Sequence, residues 1–365
     1  MKPNQHINKI KKYTSGKPTG EVKREFGLNH VIKLASNENP WGCPVSVDQL
    51  ADTINTAMIY PNLNRPALIT RLSTYHQLPE DHFILGNGSD ELLQLLALTF
   101  LSADTESITA QHTFSVYRHV SQLVGATCVE VLMSELCYSV DAILSAVTEQ
   151  TRVVFIANPN NPTGRILTCD QLNRLLARLS SDIIVVLDEA YREFVNLEDI
   201  NATLSLLADY SNLVILRTFS KAYGLAGFRV GYAMGSPDFI EILHKVRPPF
   251  NVNSLALVAA ELALDCSDFL SKTITNNSQQ REWLYAEIQQ MGLTVIDSQA
   301  NFLCILVNRP AMDVYQGLLR KGYIIRPLDS FGLADYIRVT IGTPEQNQGF
   351  LSAFKQVLTE LDQVP

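Results

Sequence analysis

Leu213-Val214-Ile215-Leu216-Arg217-Thr218-Phe219-Ser220-Lys221-Ala222-Tyr223-Gly224-Leu225-Ala226-Gly227-Phe228-Arg229 decides how the rest of the chain is read. Its opening apolar run lacks polar alternation, which predicts a strand covered on both faces. The strand delivers a hydroxyl, Ser220, beside an amine, Lys221, and Arg229 follows shortly after. An amine held partly out of water gives up its proton more readily and can then form a Schiff base with a carbonyl. The hydroxyl and the guanidinium are suited to a phosphate. A carbonyl compound bearing a phosphate fits this trio, and pyridoxal 5'-phosphate is the candidate cofactor.

The same grammar recurs upstream. Phe83-Ile84-Leu85 precedes a glycine turn and the helical run Glu91-Leu92-Leu93-Gln94-Leu95-Leu96-Ala97. Val153-Val154-Phe155-Ile156 precedes Asn158-Pro159-Asn160-Asn161-Pro162-Thr163-Gly164, and Ile183-Ile184-Val185-Val186-Leu187 ends at Asp188. Apolar strands alternating with helices predict an α/β fold with a mostly parallel sheet between helical layers. Ligands in such sheets bind beyond the carboxyl ends of the strands. After Pro248-Pro249 the pattern changes to a helix-rich stretch and then short strands at Leu303–Val307, Tyr323–Ile325 and Tyr336–Val339, with a helix from Pro344 to Leu361. The expected division is an N-terminal arm over 1–35, a large domain over 36–250 and a smaller α+β domain over 251–365.

The chain has 365 residues, 46% hydrophobic and 18% charged, with a net charge of -8. That is the composition of a globular protein with a large core, and the acidic balance argues against nucleic-acid binding. Cys43, Cys128, Cys137, Cys169, Cys266 and Cys304 are scattered and form no C-x-x-C pair. Neither a metal site nor a disulfide framework is expected, and the thiols should be free and buried or half-buried in a reducing compartment. The polar N-terminus lacks an apolar signal region, and no run is long enough to span a membrane. A soluble cytoplasmic protein is the expectation.

Several candidate sites fall at strand ends. In Gly86-Asn87-Gly88-Ser89-Asp90-Glu91, Ser89 or Asp90 would open a helix whose free N–H groups attract an anion. Taken alone, a plain Gly-rich turn explains it as well. In Asp188-Glu189-Ala190-Tyr191, a carboxylate ending a buried strand needs a partner, and a protonated pyridine nitrogen would serve. Tyr191, one short turn away, and the amide of Asn161 could meet the phenolic oxygen of the same ring. Helix capping by Asp188 is the plainer account. In Thr113-Phe114-Ser115-Val116-Tyr117, Phe114 could stack on a flat ring or simply fill the core. Arg338, on the apolar run Tyr336–Val339, needs an anion such as a carboxylate, and Arg326 is a second candidate for an anionic group; ion pairs are the plain alternatives.

Together, Asn161-Pro162-Thr163-Gly164, Asp188-Glu189-Ala190-Tyr191, Ser220-Lys221 and Arg229, in that order, resemble the fold type I pyridoxal-phosphate aminotransferases. Tyr13-Thr14-Ser15-Gly16-Lys17-Pro18, Leu34-Ala35-Ser36-Asn37-Glu38-Asn39-Pro40, Tyr60-Pro61 and Arg338–Thr343 are similar to the histidinol-phosphate aminotransferase branch. The resemblance implies a large domain built on a seven-stranded sheet. It implies that Lys221 carries the cofactor and that Asp188 pairs with its ring nitrogen. Asn161 and Tyr191 would then contact the ring oxygen, and Ser89, Asp90, Ser220 and Arg229 the phosphate. Tyr60 would reach that phosphate from a partner subunit in a homodimer. Asn37 and Arg338 would meet the substrate, Arg338 through a carboxylate, while Tyr13 and Arg326 would meet the substrate's own phosphate. Transamination between histidinol phosphate and 2-oxoglutarate would follow. An aromatic amino acid aminotransferase and a phosphothreonine-type decarboxylase are the competing activities on such a scaffold. The sequence departs from the pattern at Phe114, where many relatives carry tyrosine, and at Gln111-His112, which replaces a proline-rich approach.

Overall fold

The structure, a computed structural model, describes residues 2–10, 16–62, 67–196 and 202–363. After an N-terminal helix (Thr19–Phe26) comes a short strand, β1 (Ile32–Lys33). The large sheet is then laid down by β2 (Phe83–Gly86), β3 (Glu106–Ala110), β4 (Thr127–Val131), β5 (Thr151–Ala157), β6 (Ile184–Asp188), β7 (Leu213–Thr218) and β8 (Gly231–Met234). These form a seven-stranded sheet in the order β2-β8-β7-β6-β5-β3-β4. The pairings β4 to β3, β3 to β5, β5 to β6 and β6 to β7 are parallel. β8 is inserted antiparallel between β2 and β7. The expected seven-stranded, mostly parallel sheet is therefore present, and it takes the apolar runs as its central strands. Every residue of β6 and β7 is buried.

The later strands are β9 (Thr294–Ile296), β10 (Phe302–Leu306), β11 (Tyr323–Ile324), β12 (Arg326–Leu328) and β13 (Leu333–Thr340). Four of them make a sheet in the order β12-β13-β10-β9, all antiparallel. β11 pairs in parallel with β1, so the N-terminal segment joins the C-terminal part of the fold. Helices Ser254–Asp265 and Ser267–Gln290 and the closing helix Pro344–Asp362 match the helical stretches expected from sequence. That last helix has a capping box, Thr343 with Gln346, and proline in its first turn.

Two large apolar clusters hold these parts together. One gathers the big sheet and its helices, from Leu50 to Ala263, including helix Ser254–Asp265. The other joins Val22, Leu34 and Ala35 to residues from Leu284 to Leu358. All six cysteines are free, but Cys43 is exposed, contrary to the expectation of buried or half-buried thiols. It lies in the irregular segment before helix Val47–Asn55, where no packed layer covers it. Among the described residues no helix is long and apolar enough to cross a membrane.

Candidate active site

A cleft of about 270 Å³ opens at the carboxyl ends of β5, β6 and β7, where an open α/β sheet binds its ligands. It brings together Asn37, Ser89, Asp90, Phe114, Asn161, Asp188, Tyr191, Ser220, Lys221, Arg229, Arg326 and Arg338. Of the other two sequence candidates, Tyr60 does not line the cleft, being 77% exposed with its ring stacked on Phe250 at 4.6 Å. Tyr13 lies outside the described residues.

Lys221 follows the turn at the end of β7, half-buried, with its Nζ donating to the Ser36 carbonyl (3.2 Å). The Nζ also stands 5.7 Å from the centre of the Tyr191 ring. The turn itself is fixed by Thr218, whose Oγ1 accepts from the Ser220 backbone N–H (3.1 Å) and donates to Ser220 Oγ (3.0 Å). Beneath the cleft, the ends of β6 and β7 are stapled by a buried ion pair. Arg217 Nε and Nη2 reach Glu189 Oε2 at 2.9 and 2.8 Å, and Thr203 Oγ1 donates to Glu189 Oε1 at 2.7 Å. Such a pair is costly to break from one side, because the survivor is left charged and dry.

Asp188, the last residue of β6, is buried. Its partners are Tyr117 Oη, donating to Oδ2 at 2.8 Å, and the Ala190 N–H, donating to Oδ1 at 3.2 Å. Neither partner is a cation. Burial pushes the Asp188 carboxyl up to about 6, against the pull of these two hydrogen bonds. Tyr117 is itself fully buried, and burial, with the neighbouring Asp188 charge, holds its phenol well above its ordinary value. It therefore stays a donor. Its ring stacks on Phe155 (5.2 Å between centres) and meets Phe114 edge-on (5.7 Å). Sequence reading missed Tyr117. Its position on helix Val116–Leu123 looks like core, and its partner is 71 residues away.

Helix Ser89–Phe100 begins with no side-chain cap, so its first N–H groups face the cleft uncommitted to a cap. Arg229, in the left-handed region (φ 61°), reaches Ser220 Oγ (3.4 Å), the Ala226 carbonyl (3.2 Å) and Asp90 Oδ2 (3.4 Å). Gly88 makes this approach possible. Its φ of 78° and ψ of 167° lie in a region open almost only to glycine, and a Cβ there would fall 2.5 Å from Arg229 Nη2. Gly88→Ala should cost about 1–3 kcal/mol in backbone strain and displace Arg229. A melting curve and a cofactor titration check it: the expected result is a lower Tm and cofactor affinity weakened about tenfold or more.

The opposite wall comes from the N-terminal segment and the small sheet. Asn37, buried and left-handed (φ 56°), donates from Nδ2 to Tyr191 Oη at 2.9 Å. Thr340 Oγ1 accepts from the Asn37 N–H (3.0 Å), and Asn301 Nδ2 donates to the Asn37 carbonyl (3.1 Å). Arg338 is buried on β13, donating to Asn161 Oδ1 and to the Ala35 carbonyl (2.7 Å), with its guanidinium over the Phe302 ring. Arg326 stands at the more open end, near Ser330 Oγ (3.5 Å).

An amine, a buried carboxylate and three arginines lining one cleft at the strand ends of a mostly parallel sheet define a fold type I transferase. The family profile described as aminotransferase class I and II matches residues 29–354, and the chain belongs to that family. It is 42% identical over 355 residues to histidinol-phosphate aminotransferase 1 of Idiomarina loihiensis, covering 97% of both chains. It is also 42% identical over 360 residues to histidinol-phosphate aminotransferase of Bacillus subtilis strain 168, covering 98% of this chain and all of that one. Among solved structures, histidinol-phosphate aminotransferase from Sinorhizobium meliloti in complex with pyridoxal-5'-phosphate superposes with a TM-score of 0.90 at 23% identity, over 98% of this chain and 97% of that chain. That likeness speaks for the fold.

Proposed function

We propose that this enzyme uses pyridoxal 5'-phosphate to move the amino group of histidinol phosphate to 2-oxoglutarate, giving imidazole-acetol phosphate and glutamate in L-histidine biosynthesis. The observation that carries the reading is the convergence of Lys221, Asp188 and three cleft arginines in a chain matched over nearly its whole length by relatives of that name. The residues fit the cofactor: an accessible amine, a buried carboxylate with no cationic partner in its hydrogen bonds, and an uncapped helix start beside Arg229, which a Cβ at Gly88 would strike. When bound, pyridoxal phosphate supplies an aldehyde for the amine and a ring that draws electrons from the substrate carbon.

The chain's own groups do the rest. Lys221 would hold the cofactor, and its Nζ, when free, would move the proton at the substrate α-carbon. Asp188, steadied by Tyr117, holds the ring nitrogen cationic. Asn161 and Tyr191 would meet the ring oxygen, and Phe114 would stack on the ring. Ser89, Asp90, Ser220 and Arg229 hold the cofactor phosphate. Arg338 takes the carboxylate of the amino acid partner, Asn37 borders it, and Arg326 with Tyr13 takes the phosphate of the amino alcohol.

A homodimer belongs to the same reading, with Tyr60 of the partner subunit reaching the cofactor phosphate. Met58, Ile59 and Tyr60 are exposed together, an apolar patch that suits a subunit contact. The division into an arm (1–35), a large domain (36–250) and a small domain (251–365) is supported by the two large apolar clusters, although helix Ser254–Asp265 packs with the first. Cytoplasmic residence suits six cysteines without a disulfide. Comparing kcat/KM for histidinol phosphate and histidinol tests the substrate. A preference of at least about 100-fold for the phosphorylated compound is expected, because a site built for an anion pays a penalty without one. Equal values would favour an aromatic amino acid aminotransferase. Carbon dioxide release without a 2-oxo acid would mark a phosphothreonine-type decarboxylase.

A further inference from the structure

His112 is not among the reacting groups, yet its ring bridges the two walls of the cleft. It stands between β3 and helix Val116–Leu123, two residues before Phe114. Its backbone is tied down: Asn160 Nδ2 donates to the His112 carbonyl (2.9 Å), and Thr113 Oγ1 donates to Asn160 Oδ1 (2.7 Å). The ring crosses to the short turn Asp329–Phe331, with Nδ1 2.6 Å from the Phe331 carbonyl oxygen. A carbonyl oxygen only accepts, so Nδ1 carries the proton. In the neutral ring Nε2 is then the acceptor for the neighbouring Gln111 amide. The ring also lies against Gly332 (φ 75°), where a Cβ would come within 3.3 Å of His112 Cε1. The turn contains Ser330, whose Oγ lies 3.5 Å from Arg326 Nη2. Phe331 and Arg326 both line the cleft.

We propose that His112 is a positioning residue for the anionic tail of the substrate. By donating to the Phe331 carbonyl it fixes the turn against which Arg326 rests, and ties Arg326 to the loop that carries Phe114. The inference deepens the reading of Arg326 as the phosphate ligand and rests on it. The effect falls on recognition of the tail and spares the reacting groups, because His112 touches neither Lys221 nor Asp188 through any of these bonds.

Three variants of the holoenzyme test it. His112→Asn places an amide nitrogen where Nδ1 was, His112→Gln places it near Nε2, and His112→Leu removes both. KM for histidinol phosphate and the inhibition constant for inorganic phosphate should rise about tenfold in the Leu and Gln variants and return to within about twofold in the Asn variant. The kcat and the cofactor dissociation constant should stay within about twofold throughout. A merely structural role would lower stability without separating Asn from Gln. If the Leu variant does not fold, the two amides carry the comparison. Equal KM values for Asn and Gln, or a loss confined to kcat, would overturn the proposal. Arg326→Gln is the separate arm: it should raise KM for histidinol phosphate and leave histidinol unchanged. If it raises KM and His112→Gln does not, His112 has no positioning role. If Arg326→Gln itself changes neither substrate, the reading of Arg326 fails and the His112 inference falls with it.

Discussion

Lys221→Ala should lower kcat by at least about 10^4-fold and leave the fold almost untouched. The two halves of that expectation have different origins. The Nζ makes a hydrogen bond to the Ser36 carbonyl at 3.2 Å, and losing it costs about 1 kcal/mol, a few degrees of Tm at most in a chain of this size. The turn that presents the residue is held elsewhere, by Thr218 Oγ1 on Ser220 and by the Glu189–Arg217 pair, so alanine inherits the same backbone. Catalysis has no such substitute. Tyr191, whose ring lies 5.7 Å from the Lys221 Nζ, is engaged by Asn37, and the remaining cleft nitrogens belong to arginines and amides that are poor bases. The measurements are steady-state turnover, a melting curve and borohydride treatment of the cofactor-loaded protein. Borohydride should fix the cofactor to the wild-type chain and fail to fix it to the variant. Normal turnover in Lys221→Ala, or cofactor trapped at another lysine, would remove Lys221 from this role.

Much of this arrangement could be read before the fold was known, for a physical reason. A strand buried on both faces is mostly apolar, so the polar residues at its end are conspicuous. Asp188 ends Ile183–Leu187 and the polar run from Arg217 to Lys221, broken by Phe219, follows Leu213–Leu216, and β6 and β7 place them side by side. Edge and short strands send no such signal. β4 mixes exposed, half-buried and buried positions and carries the exposed Glu130, and β8 is four residues long between a turn and a helix. The union of the N-terminal segment with the last third of the chain was equally hidden, because Val22, Leu34 and Ala35 find their neighbours more than 200 residues away. Tyr117 and His112 show the same limit within the site. Each acts through one hydrogen bond to a distant segment, to Asp188 and to Phe331, and helical or loop periodicity carries no trace of such a partner.

Asp188→Asn should reverse its effect on stability between the cofactor-free and the loaded protein. Without cofactor, burial holds Asp188 near 6 against an ordinary 3.8. The sign follows from linkage. A carboxyl whose folded value is raised contributes stability that is complete below about 3.8 and is lost as pH climbs through about 6. Above that window the folded chain carries a dry negative charge at a cost of roughly 3 kcal/mol. Asparagine has no charge to desolvate and can still accept from Tyr117 or from the Ala190 N–H, although one of those bonds is weakened by about 1 kcal/mol. The stripped variant should therefore melt higher than the stripped wild type at pH 8, by about 1–2 kcal/mol, and lose that advantage at pH 4.5. Loading the site inverts the balance. A cationic ring nitrogen gives the carboxylate the partner its hydrogen bonds lack, and removing one member of a buried pair costs about 3–5 kcal/mol. Spent on the reacting state, that is a fall in kcat of roughly 10^2- to 10^4-fold, with weaker cofactor binding besides. Melting curves at the two pH values, with and without cofactor, decide the matter beside the rate. A stripped variant less stable than wild type at pH 8, together with undiminished turnover, would show that Asp188 serves only to cap the turn at Ala190.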